Sequence, residues 1–205
     1  MENVEIKVQE MDYSGTAAYK SLRTNLQFCG EDKKVIAVTS CTPNEGKSSV
    51  TMNLAVSMAE AGKKVILIDA DMRKSVLVGR TKVRSSVKGL THYLSKQAPL
   101  IDVICSTNVK NLSIIFAGPV PPNPAELLGS RHFKAMLDSL KKVYDYIFPK
   151  NRKQLEFVES IKKINSKEKE KHIDIKSIII LDKKDVLFLI NLKENQLERE
   201  KFLRI

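Results

Sequence analysis

VIAVTSCTPNEGKSSVTMNLAVSMAEAG, residues 35 to 62, changes its periodicity halfway along. Residues 35–40 form a short, continuous apolar and β-branched run, the mark of a strand buried on both faces in a parallel sheet. Residues 48–62 read as a helix closed by a C-terminal cap glycine, Gly62. The loop between them ends in Gly-Lys-Ser. Strand, tight loop, Gly-Lys-Ser and helix together are the arrangement of a phosphate-binding loop, where successive backbone N–H groups and the helix N-terminus face an anion. Gly46 allows close backbone approach, Lys47 would reach the β- and γ-phosphates, and the Ser48 hydroxyl would ligate Mg²⁺. The general pattern GxxxxGK[ST] opens on a glycine, and Cys41 stands there instead. A bare Gly-Lys-Ser is common by chance, so its placement between a buried strand and a helix carries the weight.

Downstream, VILIDADMR (65–73) is a second buried strand ending in two carboxylates, Asp69 and Asp71, followed by Arg73. Open α/β sheets hold their ligands at this carboxyl end. One of the two acids can face a metal's water shell while the other reaches an incoming hydroxyl. Arg73 could pair with phosphate or with either carboxylate. A helix cap plus a surface salt bridge is the plainer reading of the same residues. Strands and helices go on alternating along the chain, with a helix over 16–28 that has Ala18, Leu22 and Leu26 on one face, a strand at 112–118, a helix at 131–143 and a strand opening at 144–148. This alternation predicts an α/β fold, a mostly parallel sheet with helices on both faces.

Composition narrows the class. A chain of 205 residues suits one α/β domain and something extra. Cys29, Cys41 and Cys105 make neither a metal pattern nor an even disulfide framework, which points to a reducing cytosol and to cysteines serving as small buried hydrophobes. The N-terminus lacks a signal-peptide pattern, and no apolar run approaches the ~18 residues of a membrane span. The net charge of +11 is spread along the chain, as on a solvated lysine-rich surface, so nucleic acid is not expected as a partner. His92, His132 and His172 sit apart and receive no role.

The composition breaks near residue 148. All eight glycines precede it, and Gly, Ala, Thr, Tyr and Met are absent after it. Two units are therefore expected: a nucleotide-binding domain over 1–148 and a Lys/Ile/Glu-rich tail over 149–205, partly helical or disordered. The tail's residue usage suits either an A/T-rich gene read out of frame or a natural helical extension. SIIILDKKD (177–185) looks superficially like another carboxylate-bearing strand, with Asp182 at its end.

SCTPNEGKSS followed by VILIDADMR, with AYKSLRTNLQF upstream and GPVPPNPAELL downstream, resembles the bacterial tyrosine kinases of capsular and exopolysaccharide synthesis. These are cytoplasmic P-loop proteins related to the Min and Par ATPases, and the resemblance covers roughly residues 14–147. It implies ATP and Mg²⁺ as cofactors, bound through Pro43, Asn44, Glu45, Gly46, Lys47, Ser48, Ser49 and Arg73, with Ser48 and Asp69 on the metal. Lys47, Asp69 and Asp71 would be catalytic. A membrane-anchored activator linked to chain-length control, a protein tyrosine substrate and possible homo-oligomers are the implied partners. The Min and Par branch usually has a second lysine early in the loop, where Cys41 and Thr42 stand here; a Min/Par-type nucleotide switch is the alternative reading, and a non-functional fragment the third.

Three departures bear on activity. The family's N-terminal helix carries Glu-x-x-Arg-x-x-Arg for ring assembly, and this chain has Ala17, Lys20 and Arg23. After a strand beginning like YDYI, the family ends in Asp-x-x-Pro, whose aspartate completes the magnesium site, and FPKNRKQ stands here. The family's C-terminal tyrosine cluster has no counterpart, because no tyrosine follows Tyr146. The domain is accordingly expected to be cut in mid-sheet, with reduced or absent kinase activity.

Overall fold

The computed structural model describes residues 2–8, 11–28, 34–40, 46–75, 77, 79, 81–82, 87–151, 177–182, 185–193 and 196–200. In chain order the elements are β1 (Asn3–Ile6), α1 (Tyr13–Phe28), β2 (Ile36–Ser40), α2 (Lys47–Glu60), β3 (Val65–Asp69) and β4 (Thr81–Lys82). Then come α3 (Leu90–Leu94), α4 (Leu100–Val103), β5 (Cys105–Thr107), β6 (Leu112–Ile115), α5 (Pro124–Leu128), α6 (Arg131–Leu140) and β7 (Tyr146–Lys150). The last three are β8 (Ser177–Asp182), β9 (Asp185–Lys193) and β10 (Gln196–Glu200).

All five residues of β3 are buried, as its unbroken apolar sequence requires. It pairs in parallel with β6 on one side and β7 on the other. Six strands run in the order β4-β1-β5-β6-β3-β7, and a parallel bridge from Val35 to Ile147 joins β7 to the segment entering β2. Beyond β2 lie β8, β9 and β10. The antiparallel pairs are β1 with β4, β5 with β6, β8 with β9 and β9 with β10.

Strand alternation sends side chains into two cores, so helices cover both faces. Val35, Ile66, Ile68 and Ile147 face the layer of α3 and α6, against Leu90, Phe133 and Leu137. Ile36, Val38, Leu67 and Phe148 face α1 and α2, against Leu26, Leu54 and Met58. Phe133 and Phe148 are wholly buried, and each such side chain contributes about 2–3 kcal/mol by transfer from water. The α/β expectation is met.

Several boundaries differ for local reasons. Helix α1 begins at Tyr13 rather than near residue 16, because the Asp12 carboxylate accepts the Gly15 N–H at 2.7 Å and starts the helix there. Strand β7 runs on to Lys150 with all five residues buried, so the expected domain boundary at 148 falls inside a strand. The tail, expected to be partly helical or disordered, is extended at residues 177–182, 185–193 and 196–200, where the Ile178–Ile180 run favours sheet pairing. Strand β8 lies parallel to β2, with Ile36 opposite Ser177 and Ser40 opposite Leu181. The charged stretch 152–176 lies outside the described residues, as do Cys29 and Cys41. Cys105 is buried, as expected. Among the described residues no helix is long and apolar enough to cross a membrane.

Candidate nucleotide site

Strands β2, β3, β7 and β8 run parallel and finish at one edge of the sheet. Helix α2 starts at that edge, returning over the face that carries Leu67 and Phe148. Its N-cap is Gly46, at φ 83° and ψ 12°. No atom would crowd a Cβ there, so the demand for glycine comes from the left-handed backbone and not from space. The Gly46 carbonyl accepts the N–H groups of Ser49 at 2.8 Å and Val50 at 2.9 Å, which sets the first turn. The helix has no side-chain cap and no acidic residue in that turn. Its positive end is therefore not neutralised from within, the electrostatic condition for receiving an anion. Lys47, Ser48 and Ser49 are half-buried on it. Pro43, Asn44 and Glu45, expected in the same loop, lie outside the described residues.

Asp69 ends β3 at 0 % exposure, and Asp71 two residues on is also buried. Asp69 Oδ1 accepts the Asp71 N–H at 3.2 Å, and Oδ2 accepts the Ser75 hydroxyl. Asp71 Oδ1 in turn accepts the Lys74 N–H at 3.3 Å. The acids thus organise the turn that follows β3, while Arg73 is exposed on it. Burial holds the Asp69 carboxyl above its ordinary range, opposed by Lys150, the Ser75 hydroxyl and the Asp71 N–H.

Sequence reasoning does not single out Lys150. It ends β7 directly opposite Asp69 in register, and its Nζ lies 3.3 Å from Asp69 Oδ1. The pair is buried, with Lys150 at 5 % exposure. The Lys150 carbonyl accepts the Ala70 N–H at 2.8 Å, and the Asn151 side chain donates to the Ala70 carbonyl at 3.2 Å, so the ends of β3 and β7 are locked together. The available signal was alternation: continuing Tyr146 and Phe148 by two places puts Lys150 on the face of Leu67 and Asp69.

This arrangement bears on the carboxylate half of the expected metal site of Ser48 and Asp69. Both Asp69 oxygens already take donors, one of them an ammonium. Magnesium demands near-octahedral oxygen ligation at short range, and this donor set does not fit it. The assembly motif differs too: the Arg23 guanidinium is turned inward, its Nη1 donating to the Ser57 carbonyl at 2.9 Å and to the Ser57 hydroxyl oxygen at 3.2 Å.

The profile of the AAA domain family matches residues 33–159, from the start of β2 past the end of β7. The chain belongs to this family. Within these P-loop proteins its likeness is to tyrosine kinases. It is 47 % identical over 129 residues to tyrosine-protein kinase CpsD of Streptococcus agalactiae, covering 63 % of this chain and 56 % of that protein. To tyrosine-protein kinase YwqD of Bacillus subtilis it is 40 % identical over 131 residues, covering 63 % of this chain and 55 % of that one. Among solved structures, the BceF tyrosine kinase domain superimposes with a TM-score of 0.63 at 40 % identity, over 73 % of this chain and 61 % of that chain. The chain thus spans a little over half the length of these two curated P-loop relatives.

Proposed function

We propose that this chain binds ATP or ADP at the N-terminal end of α2, as a member of the tyrosine kinase branch, and transfers little or no phosphate to tyrosine. The observation that supports nucleotide binding is the left-handed Gly46 cap, which starts α2 at the sheet edge where β3 also delivers its carboxylates. The β- and γ-phosphates lie against the first-turn amides and Lys47, with Pro43, Asn44, Glu45, Ser48 and Ser49 completing the loop. Exposed Arg73 reaches an outer phosphate oxygen. Asp71 is the group that orients or deprotonates an incoming tyrosine hydroxyl. Transfer suffers because Asp69, which would hold the magnesium that neutralises developing charge, is instead paired with Lys150. The partners are a membrane-anchored activator of capsular or exopolysaccharide synthesis and a protein tyrosine, at the cytoplasmic side of the membrane.

Calorimetry with ADP tests the site: measurable binding is expected in the wild type and its loss in Lys47→Met, since a neutral side chain leaves the phosphates without their close cation. Equal affinity in both would refute the phosphate-loop reading. Intact mass after prolonged incubation with ATP should show no added phosphate. A strong phosphotyrosine signal that vanishes in Asp71→Asn would show that transfer survives the Lys150 contact.

A further inference from the structure

Strand β7 occupies the place between β2 and β3, and the resemblance expects the strand beginning at YDYI to end in an aspartate that completes a magnesium site. The residue that ends it is Lys150. Its ammonium is 3.3 Å from Asp69 Oδ1, with both side chains buried on the α2 face of the sheet, at the end from which α2 starts. A lysine is rarely buried without a partner of opposite charge, and cross-strand register supplies one: Asp69 and Lys150 are direct neighbours on parallel strands. The Ser75 hydroxyl and the Asp71 N–H take further lone pairs of the same carboxylate. A divalent cation entering here would have to displace hydrogen-bond donors and stand beside a fixed positive charge.

We propose that Lys150 is a tethered counter-ion in the place of magnesium: its ammonium neutralises Asp69, so this chain takes a nucleoside diphosphate without a divalent cation. The proposal rests on the nucleotide reading above. Lys150 is a compact point charge on a flexible stem, and by neutralising Asp69 it removes the carboxylate's repulsion of an incoming phosphate. A nucleotide site that keeps its affinity while losing its metal serves binding and not transfer, since the metal would otherwise bridge and neutralise the outer phosphates.

The test is calorimetry of the full chain with ADP, once with magnesium present and once in EDTA. For the wild type the two dissociation constants should agree within about twofold, well under the tenfold that marks 1.4 kcal/mol. Lys150→Asp removes the counter-ion and adds an oxygen ligand, and its affinity should become at least about tenfold tighter with magnesium than without. It should also gain one Mn²⁺ by electron paramagnetic resonance in the nucleotide-free protein, where the wild type gains none. Should Lys150→Asp fail to fold, Lys150→Met removes the charge at similar length, and in EDTA it should bind ADP about tenfold more weakly than the wild type. Wild-type binding that falls tenfold in EDTA overturns the tethered counter-ion and leaves the nucleotide reading standing. So does a Lys150→Met variant that binds like the wild type in EDTA. No ADP binding in either buffer overturns both.

Discussion

The Asp69–Lys150 pair should be visible as a coupling energy. Asp69→Asn keeps the shape of the side chain and an oxygen for the Ser75 hydroxyl, but it leaves an ammonium at 5 % exposure without its counter-charge. Breaking a buried pair by removing one partner costs about 3–5 kcal/mol. Lys150→Met strands the carboxylate instead, and this should cost less, about 1–3 kcal/mol, because Asp69 keeps two hydrogen bonds and can take up a proton. Burial already raises its affinity for that proton. The folded chain holds the Asp69 proton more tightly than the unfolded chain does, so stability from this group is present below about pH 3.9, the unperturbed value. It is lost as pH rises through the higher folded value. Lys150→Met should steepen that loss, since the counter-charge opposing it is gone. The double variant buries neither charge and should fall short of the summed single losses by about 1–3 kcal/mol. Urea unfolding followed by circular dichroism, with unchanged m-values, measures all three. Single losses that simply add within about 0.5 kcal/mol would show that the two groups do not interact.

Two further outcomes test the packing around the site. Gly89→Ala should destabilise by about 2–4 kcal/mol, because its Cβ would lie 2.6 Å from the Phe116 carbonyl oxygen and against the Gly118 backbone, forcing α3 off the chain that leaves β6 and straining the Leu90 N–H to Phe116 bond of 2.7 Å. A urea midpoint like that of the wild type would deny this close approach. Burial pushes the Cys105 thiol up to about 11, with the Glu2 carboxylate adding to the shift. The native chain should therefore resist iodoacetamide at Cys105 near neutral pH, as read by peptide mass. Its stability should also decline from about pH 8.5, the unperturbed thiol value, towards about 11, because the unfolded thiol ionises first. Rapid native alkylation would show the strand β5 region to be open.

Much of this protein is legible in one dimension. The apolar runs 35–40 and 65–69 can be satisfied only by burial on both faces, and Gly46 followed by Lys47 and Ser48 marks a left-handed turn into a helix, so β2, β3 and α2 are consequences of local chemistry. The helix faces of α1 and α6 follow from their spacing in the same way. Asp69 and Asp71 could be placed at a strand's carboxyl end, but not what would face them. That depends on which strand lies beside β3, and the partner is 81 residues away. Strand order and register then put Lys150 level with Asp69 and on the same side of the sheet. Likewise the run at 177–182 carries a strand pattern, yet only the fold places it alongside β2, with Asp182 one residue past the partner of Ser40. Local sequence sets backbone conformation because its interactions are short in range. The charge balance of the site is set by pairing between distant strands, where a single register decides whether a carboxylate meets a metal or a lysine.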